Sequence, residues 1–529
     1  MRGGIVRARM EALAKLPKSF ARKNHAQKAR VSTDRTIKLF FGSNALVAIV
    51  VLALITLFLF REGFGFFGQN LDSIRRYRQS GEEYVDLMRQ YADAHTALSR
   101  GLNALRLRQF RAAEKNGVPL DQINASLAPF DQFAEAFSTM AEPLNGLVSD
   151  SGDMATALKA DLLTQAGLGE DSTEDAPAPT ALKTLQQLDQ LRASAAAFDG
   201  IAATMQTQIT TLLATPPPLT AHEVEAGFAK WQKNARLYAQ GLSAGGQELR
   251  DWNPDKSIPW YRTVTSFLFG RDWVTASFWQ DWYGVIPLFV GSVMVSVVAL
   301  AIGVPLAVMA AIYVSEVASA REKKLIKPYI EFISAIPSVV LGFFGIAVVG
   351  QAIRAATQWE WLSWINSFPI SERLNIFTAG SLLALMAVPT IFTLSEDALR
   401  NVPRGFKEAS YALGANRLQT IARILVPASL SGIVSAILLG LGRVIGETMV
   451  VLLCAGNRIE IPDFTEGLGA FFQPAHTMTG IIAQEMGEVV RGSIHYRALF
   501  MVGLVLFVLT LGINYLAQRL VARYRMSIG

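Results

Sequence analysis

The chain has 529 residues, 51% of them hydrophobic and 17% charged, with a mean hydropathy of +0.29. A soluble globular protein carries roughly 25% charged residues, so membrane-spanning segments are the first expectation. The net charge of +6 does not mark a nucleic-acid surface, because Arg2, Arg7, Arg9, Lys15, Lys18, Arg22, Lys23, Lys28, Arg30, Arg35 and Lys38 crowd into the first 38 residues, opposed only by Glu11 and Asp34. The single cysteine, Cys454, lies in an apolar run, which excludes a disulfide framework or a cysteine-based metal site within one chain.

Six stretches are apolar over the about 20 residues that a bilayer crossing takes: 39–60, 284–314, 329–353, 375–395, 430–454 and 496–518. The first, LFFGSNALVAIVVLALITLFLF, is too long for a signal-peptide core, and REGFGFFG follows it instead of a small-x-small cleavage site. It reads as a retained anchor behind a basic cytoplasmic tail, 1–38. Both termini then lie inside. The short loops agree: Arg321, Lys323, Lys324 and Lys327, then Arg400, Arg404, Lys407, Arg417 and Arg423, then Arg519, Arg523 and Arg525 all fall on the inner side.

Residues about 61–283 are expected outside. They are rich in Ala, Leu and Gln, and Leu98, Leu102, Leu105 and Phe130, Phe133, Phe137 have helical spacing. GEDSTEDAPAPTA (169–181) reads as an unstructured link, and the PPP at 216–218 breaks any helix, so a helical insert in two halves is predicted. Trp252, Trp260, Trp273, Trp279 and Trp282 suit a segment lying along the membrane interface; an aromatic core for the outer domain is the alternative.

The loop after the fourth stretch reads VPRGFKEASYALGANRLQTIARILVPASLSG (402–432). Pro403 suits a helix start, Gly414 a left-handed helix end, and Pro427 the start of the fifth span. The spacing of Glu408-Ala409-Ser410, Gly414, Ile424, Val426 and Pro427 resembles the EAA pattern of ABC importer permeases, with Ser410 in place of the second alanine and Val426 in place of leucine. That resemblance implies the type I ABC importer permease fold; with the six apolar stretches and the helical spacing of the outer segment, the expectation is an all-α polytopic protein with six transmembrane helices and a helical extracytoplasmic insert. The chain then divides into the tail, a first span at 39–60, an insert at 61–264 and, where the resemblance lies, a permease domain at 265–529. The resemblance also implies that Glu408, Ala409 and Gly414 dock on a separate ATPase.

A narrower resemblance to phosphate permeases of the PstC type rests on FLFGRDW (267–273), AIPSVVLGFFGI (335–346), VPTIFTLSEDALRNVP (388–403) and GRVIGETMVVLLCAGN (442–457). It implies a bacterial inner-membrane location, a sister permease (PstA-like), a cytoplasmic ATPase dimer (PstB-like) and a periplasmic phosphate-binding protein (PstS-like). No Gly-Lys dipeptide is present, so the chain has no P-loop of its own, and GxSxG, HExxH and CxxC are absent too. His25, His95, His222, His476 and His495 are scattered over different segments, which gives no support to a metal centre or catalytic residues. No cofactor is expected.

Arg443 and Glu447 stand four residues apart inside the fifth apolar stretch, on one face if that stretch is a single helix. A charge near the bilayer centre costs at least about 2.5–3.5 kcal/mol, so such groups face a partner or a wet cavity. One reading is a buried pair that ties helices together. The other is an anion path, in which the Arg443 fork fits phosphate oxygens, Glu447 competes for it and accepts a proton-borne bond from protonated phosphate, and Thr448 adds a hydroxyl. Gly440, Gly442 and Gly446 would let helices approach closely there. Glu396 reads as an interfacial acid, and Pro337 with Ser338 as a break or kink in span three. The competing functions are import of another oxyanion (sulfate, molybdate or phosphonate) and a membrane sensor.

Overall fold

Helix-forming runs of Ala, Leu, Val and Ile dominate the chain, and the computed structural model is accordingly almost all α. It describes residues 18–165, 181–219, 222–275, 277–359, 368–370 and 372–524. The cations Arg2, Arg7, Arg9 and Lys15 and nearly all of the expected link at 169–181 lie outside them. Two units are distinguished: Met1–Phe66 with Leu288–Arg458 and Pro462–Gly529, and Phe67–Pro287 with Ile459–Ile461. These boundaries differ from the expected insert limits of 61 and 264.

Helix α1, Lys18–Gln79, contains the first candidate span. It runs past residue 60 without interruption, because neither proline nor a capping sequence stops it. Residues 40–55 are exposed on every side, as lipid-facing residues are.

The unit Phe67–Pro287 holds α2 (Glu82–Lys115), α3 (Leu120–Thr139), α4 (Glu142–Gln165), α5 (Ala181–Ala214), α6 (His222–Asp251) and α7 (Tyr261–Phe269). Tyr84, Leu102, Phe130, Phe137, Phe198, Trp231 and Trp252 share a single core. Helices on both sides of the 169–181 segment contribute to it, so the expected division into two halves does not occur. Each large apolar side chain contributes roughly 1.5–3 kcal/mol on burial, which makes a core of this size self-sufficient without disulfides.

The tryptophans follow the aromatic-core alternative. Trp252 and Trp273 are buried, Trp279 packs on the core, and Trp282 stacks edge-on to Tyr77. Only Trp260 of the five is largely exposed. A two-residue hairpin, β1 (Trp273–Val274) against β2 (Trp282–Tyr283), pairs Trp273 with Tyr283.

In the other unit come α8 (Ile286–Ile312, extended by a wide π turn at Tyr313–Val317), α9 (Ala320–Ile333) and α10 (Ser338–Ala356). After these follow α11 (Ile376–Arg400), α12 (Arg404–Ala412), α13 (Arg417–Ile445), α14 (Met449–Cys454), α15 (Met478–Glu485) and α16 (Ile494–Tyr524). Among the described residues, six helices are long and apolar enough to cross a membrane.

Local chemistry sets the ends. Asn375 accepts from the Thr378 N–H at 2.9 Å and starts α11. Ser319 and Glu322 form a reciprocal capping box that starts α9. Helix α11 is the most enclosed of the spans: Ala379, Leu382, Leu383, Ala387, Ile391 and Phe392 are all buried.

Two expected spans are not continuous. The third is interrupted between Ile333 and Ser338, with Pro337 at the N-cap of α10, so the proline marks a true break and not a kink. The fifth starts earlier than expected, at Arg417, where Asn416 and Gln419 cap it reciprocally; Pro427 lies within the helix, just after a π turn at Ile421–Leu425. It also ends earlier, at Ile445.

Candidate functional site

Arg443 occupies the last turn of α13 and Thr390 the middle of α11. The helices approach closely at Gly440, where an ideal Cβ would stand 2.5 Å from Ile391 Cγ1, so a larger residue would have to displace Ile391. Gly442 meets nothing within 4 Å and Gly446 only carbonyls of its own helix, so neither serves the close approach expected of them. The Arg443 side chain is exposed, and its Nη1 donates to Thr390 Oγ1 at 3.1 Å. Among the described residues no carboxylate pairs with it.

Glu447 does not share a helical face with Arg443. Helix α13 stops at Ile445; the Gly446 N–H returns to Gly442 O and the Glu447 N–H to Val444 O, each at 3.2 Å, closing the last turn. Glu447 and Thr448 form the break before α14. Both are half-buried, and Thr479 Oγ1 of α15 donates to the Glu447 carbonyl at 2.8 Å. A glycine directly after an apolar helical run is a C-terminal signal, and Gly446 supplies it.

The broken segment is held from several sides. Cys454 Sγ contacts Gly342 O at 3.3 Å, which seats α14 on α10. The Met478 N–H donates to Ser292 Oγ of α8 at 2.9 Å. His476 bonds Gln484 at 3.1 Å, and His495 meets the neighbouring Glu485 at 3.0 Å. Two histidines that look unrelated in the sequence thus converge on α15. Among the described residues, no three His, Cys, Asp or Glu side chains converge as a metal ion would need.

The loop at 402–432 forms a helix–turn–helix. Pro403 precedes α12, and Gly414 adopts the left-handed conformation (φ +81°) that ends it, as its residue type predicts. Glu408, Ala409 and Gly414 are all exposed, and beside them Phe406, Tyr411, Leu413 and Leu418 present apolar side chains, Leu413 at 89% exposure. Ser410 is buried instead and its hydroxyl meets Thr420 Oγ1 at 2.9 Å, joining the two arms of the turn. That bond gives the departure from alanine a physical reason.

Glu396, near the C-terminal end of α11, is enclosed and not left to solvent. It is 3% exposed and takes Lys327 Nζ at 2.9 Å and Arg400 at 3.4 Å, tying α9 to α11. Glu316, unremarked in the sequence, is buried too, and pairs with Lys407 of α12.

The family described as binding-protein-dependent transport system inner membrane component matches residues 303–526. A probable ABC transporter permease protein YqgH of Bacillus subtilis is 36% identical over 242 residues, covering 45% of this chain and 72% of that protein. The phosphate transport system permease proteins PstC of Pasteurella multocida and Haemophilus influenzae are each 30% identical over 272 residues, covering 50% and 49% of this chain and 82% and 84% of theirs. A chain of the inward-facing MetNI methionine ABC transporter aligns at 20% identity over 46% of this chain and 95% of its own, with a TM-score of 0.32, too loose for comparison residue by residue. The chain belongs to the binding-protein-dependent transport system inner membrane component family. It is a multi-pass transporter permease subunit, and nearly all of its Phe67–Pro287 unit lies outside the matched residues.

Proposed function

We propose that the chain is the membrane-spanning permease subunit of an ATP-driven importer that carries inorganic phosphate across the bacterial inner membrane. Both termini face the cytoplasm and the helical insert faces the periplasm. A PstA-like sister permease completes the pathway, a PstB-like ATPase dimer supplies the energy by hydrolysing ATP, and a PstS-like binding protein delivers the substrate.

The observation that carries this reading is the exposed Arg443 guanidinium, held by one hydroxyl and, among the described residues, by no carboxylate. An uncompensated charge at that depth is stabilised by water or by an anion. Thr390 engages one Nη and so orients the planar group, leaving other N–H donors to meet phosphate oxygens in pairs. Glu447, displaced into the helix break, does not quench the arginine. Its carboxylate instead accepts a hydrogen bond from protonated phosphate, which sulfate at neutral pH has no proton to offer. Thr448 adds a hydroxyl beside it. At the inner surface Glu408, Ala409 and Gly414, with the apolar side chains around them, form the surface that docks on the ATPase.

Uptake of labelled phosphate and labelled sulfate by cells carrying the complete transporter tests the assignment. Phosphate uptake that excess sulfate does not reduce is expected. Sulfate uptake without phosphate uptake would show that another oxyanion is the cargo.

A further inference from the structure

We propose that Glu316 is a positioning residue that transmits movement of the docking loop to the second span; the proposal rests on the reading of 402–432 as the ATPase-docking loop. Helix α8 carries no charged residue from Ile286 to Ile312. Directly after it, in the π turn Tyr313–Val317, stands a glutamate that is only 8% exposed. A buried carboxylate is costly to desolvate and persists where partners compensate it.

Here the partners come from both arms of the helix–turn–helix. The Glu316 side chain pairs with Lys407 of α12, before the Gly414 turn. Its backbone carbonyl accepts from Arg417 Nη2 at the start of α13, after that turn. Ser315 Oγ donates to the second carboxylate oxygen at 3.2 Å, so both oxygens are engaged. One residue therefore grips the loop on either side of its exposed tip. The turn behind it is fixed as well: Lys323 Nζ donates to Ser315 O at 2.9 Å, and the Ala318 N–H reaches back to Tyr313 O at 2.8 Å.

The grip has a mechanical meaning. The tip residues Glu408, Ala409 and Leu413 point to solvent, where a partner can push or pull them. Displacing α12 while Glu316 stayed in place would separate Lys407 from a carboxylate that is itself buried, and a buried charge that loses its partner is strongly destabilising. The cheaper response is for the end of α8 to follow. A π turn is a frequent site of local yielding in a helix, and this one lies where that displacement enters the span. Lys407 and Arg417, which as bare sequence serve only to mark the inner side, thus form part of the drive.

The test uses the complete transporter in proteoliposomes, with phosphate uptake and ATP hydrolysis measured on the same preparation. Glu316→Gln keeps the shape and removes the charge. Hydrolysis within about twofold of the unaltered protein is expected, with phosphate imported per ATP reduced at least about fivefold. The exchange Glu316→Lys with Lys407→Glu restores the opposite charges and is expected to recover at least about half of the lost ratio. Glu316→Gln at normal abundance with an unchanged ratio overturns the proposal. If Glu316→Gln lowers abundance, the exchange variant decides: abundance and ratio restored together support the proposal, and abundance restored without the ratio overturns it. Failure of the docking-loop reading has a different signature, unchanged phosphate uptake per ATP in Gly414→Val, which distorts the turn at the exposed tip.

Discussion

Arg443→Ala removes the group on which the proposed path depends. In the path the guanidinium offers paired donors to an anion, and each charge-assisted hydrogen bond is worth about 1.5–3 kcal/mol. Two such bonds amount to about 3–6 kcal/mol, and with tenfold per 1.4 kcal/mol the variant is expected to import phosphate at least about 100-fold more slowly. Assembly is expected to survive, because the chain loses only the 3.1 Å bond to Thr390 Oγ1, and a threonine in a helix can turn its hydroxyl to a carbonyl of its own preceding turn. Arg443→Lys keeps the charge but not the planar fork, so an intermediate loss, about tenfold, is expected. The measurement is labelled phosphate uptake normalised to the amount of assembled complex, with ATP hydrolysis stimulated by the binding protein recorded alongside. Arg443→Ala importing phosphate within about twofold of the unaltered protein would refute the reasoning, and Arg443 would then be a structural tie.

Gly414→Val forces a β-branched residue into a left-handed conformation (φ +81°), at a cost of about 1–2 kcal/mol; it should lower uptake per ATP by distorting the docking turn, and Gly414→Asn should be milder. Phe137→Ala deletes a fully buried ring from the Phe67–Pro287 core, at about 3–5 kcal/mol, and should speed amide exchange in α3 and α6 of the full-length protein. His95 is 1% exposed, stacks on Phe137 at 4.4 Å and bonds Phe137 O through Nε2 at 2.8 Å. Burial lowers its pKa from the ordinary 6.5, so the unfolded chain takes up the proton first as pH falls. The stability His95 supplies is therefore complete above that ordinary value and is lost as pH drops through the depressed one. Exchange protection of α2 should fall on acidification below pH 6.5, and His95→Gln should flatten that dependence.

Much of the architecture is legible from composition alone. Among the described residues, six long apolar helices overlap the six apolar stretches, because a bilayer crossing takes about 20 consecutive apolar residues and so shows in composition. The helical spacing of Phe130, Phe133 and Phe137 names core residues correctly, since amphipathic periodicity reports which face is buried. Discontinuities are harder to see. Hydropathy is a running average and does not mark Ser334–Pro337 or Gly446–Thr448 as backbone breaks, so Glu447 looks like a helical neighbour of Arg443. The tryptophans of 252–282 mislead for a related reason: indole suits a membrane interface and an aromatic core equally, and only tertiary packing separates the two. Glu316 and Glu396 escape because a carboxylate at a span end reads as interfacial. Their burial depends on Lys407 and Lys327, respectively 91 and 69 residues away in the chain, at distances that local patterns do not report.

The contact at Gly440 also constrains how such a molecule can move. With Ile391 pressed against bare backbone, α11 and α13 interlock at a point where sliding either helix by a fraction of a turn would drive side chain into main chain. Motion within this unit is then expected to leave that seam closed and to fall where the rods are already cut, between Ile333 and Ser338 and between Ile445 and Met449. On the proposed path, the arginine would then keep its place beside Thr390 while the helix ends around it move.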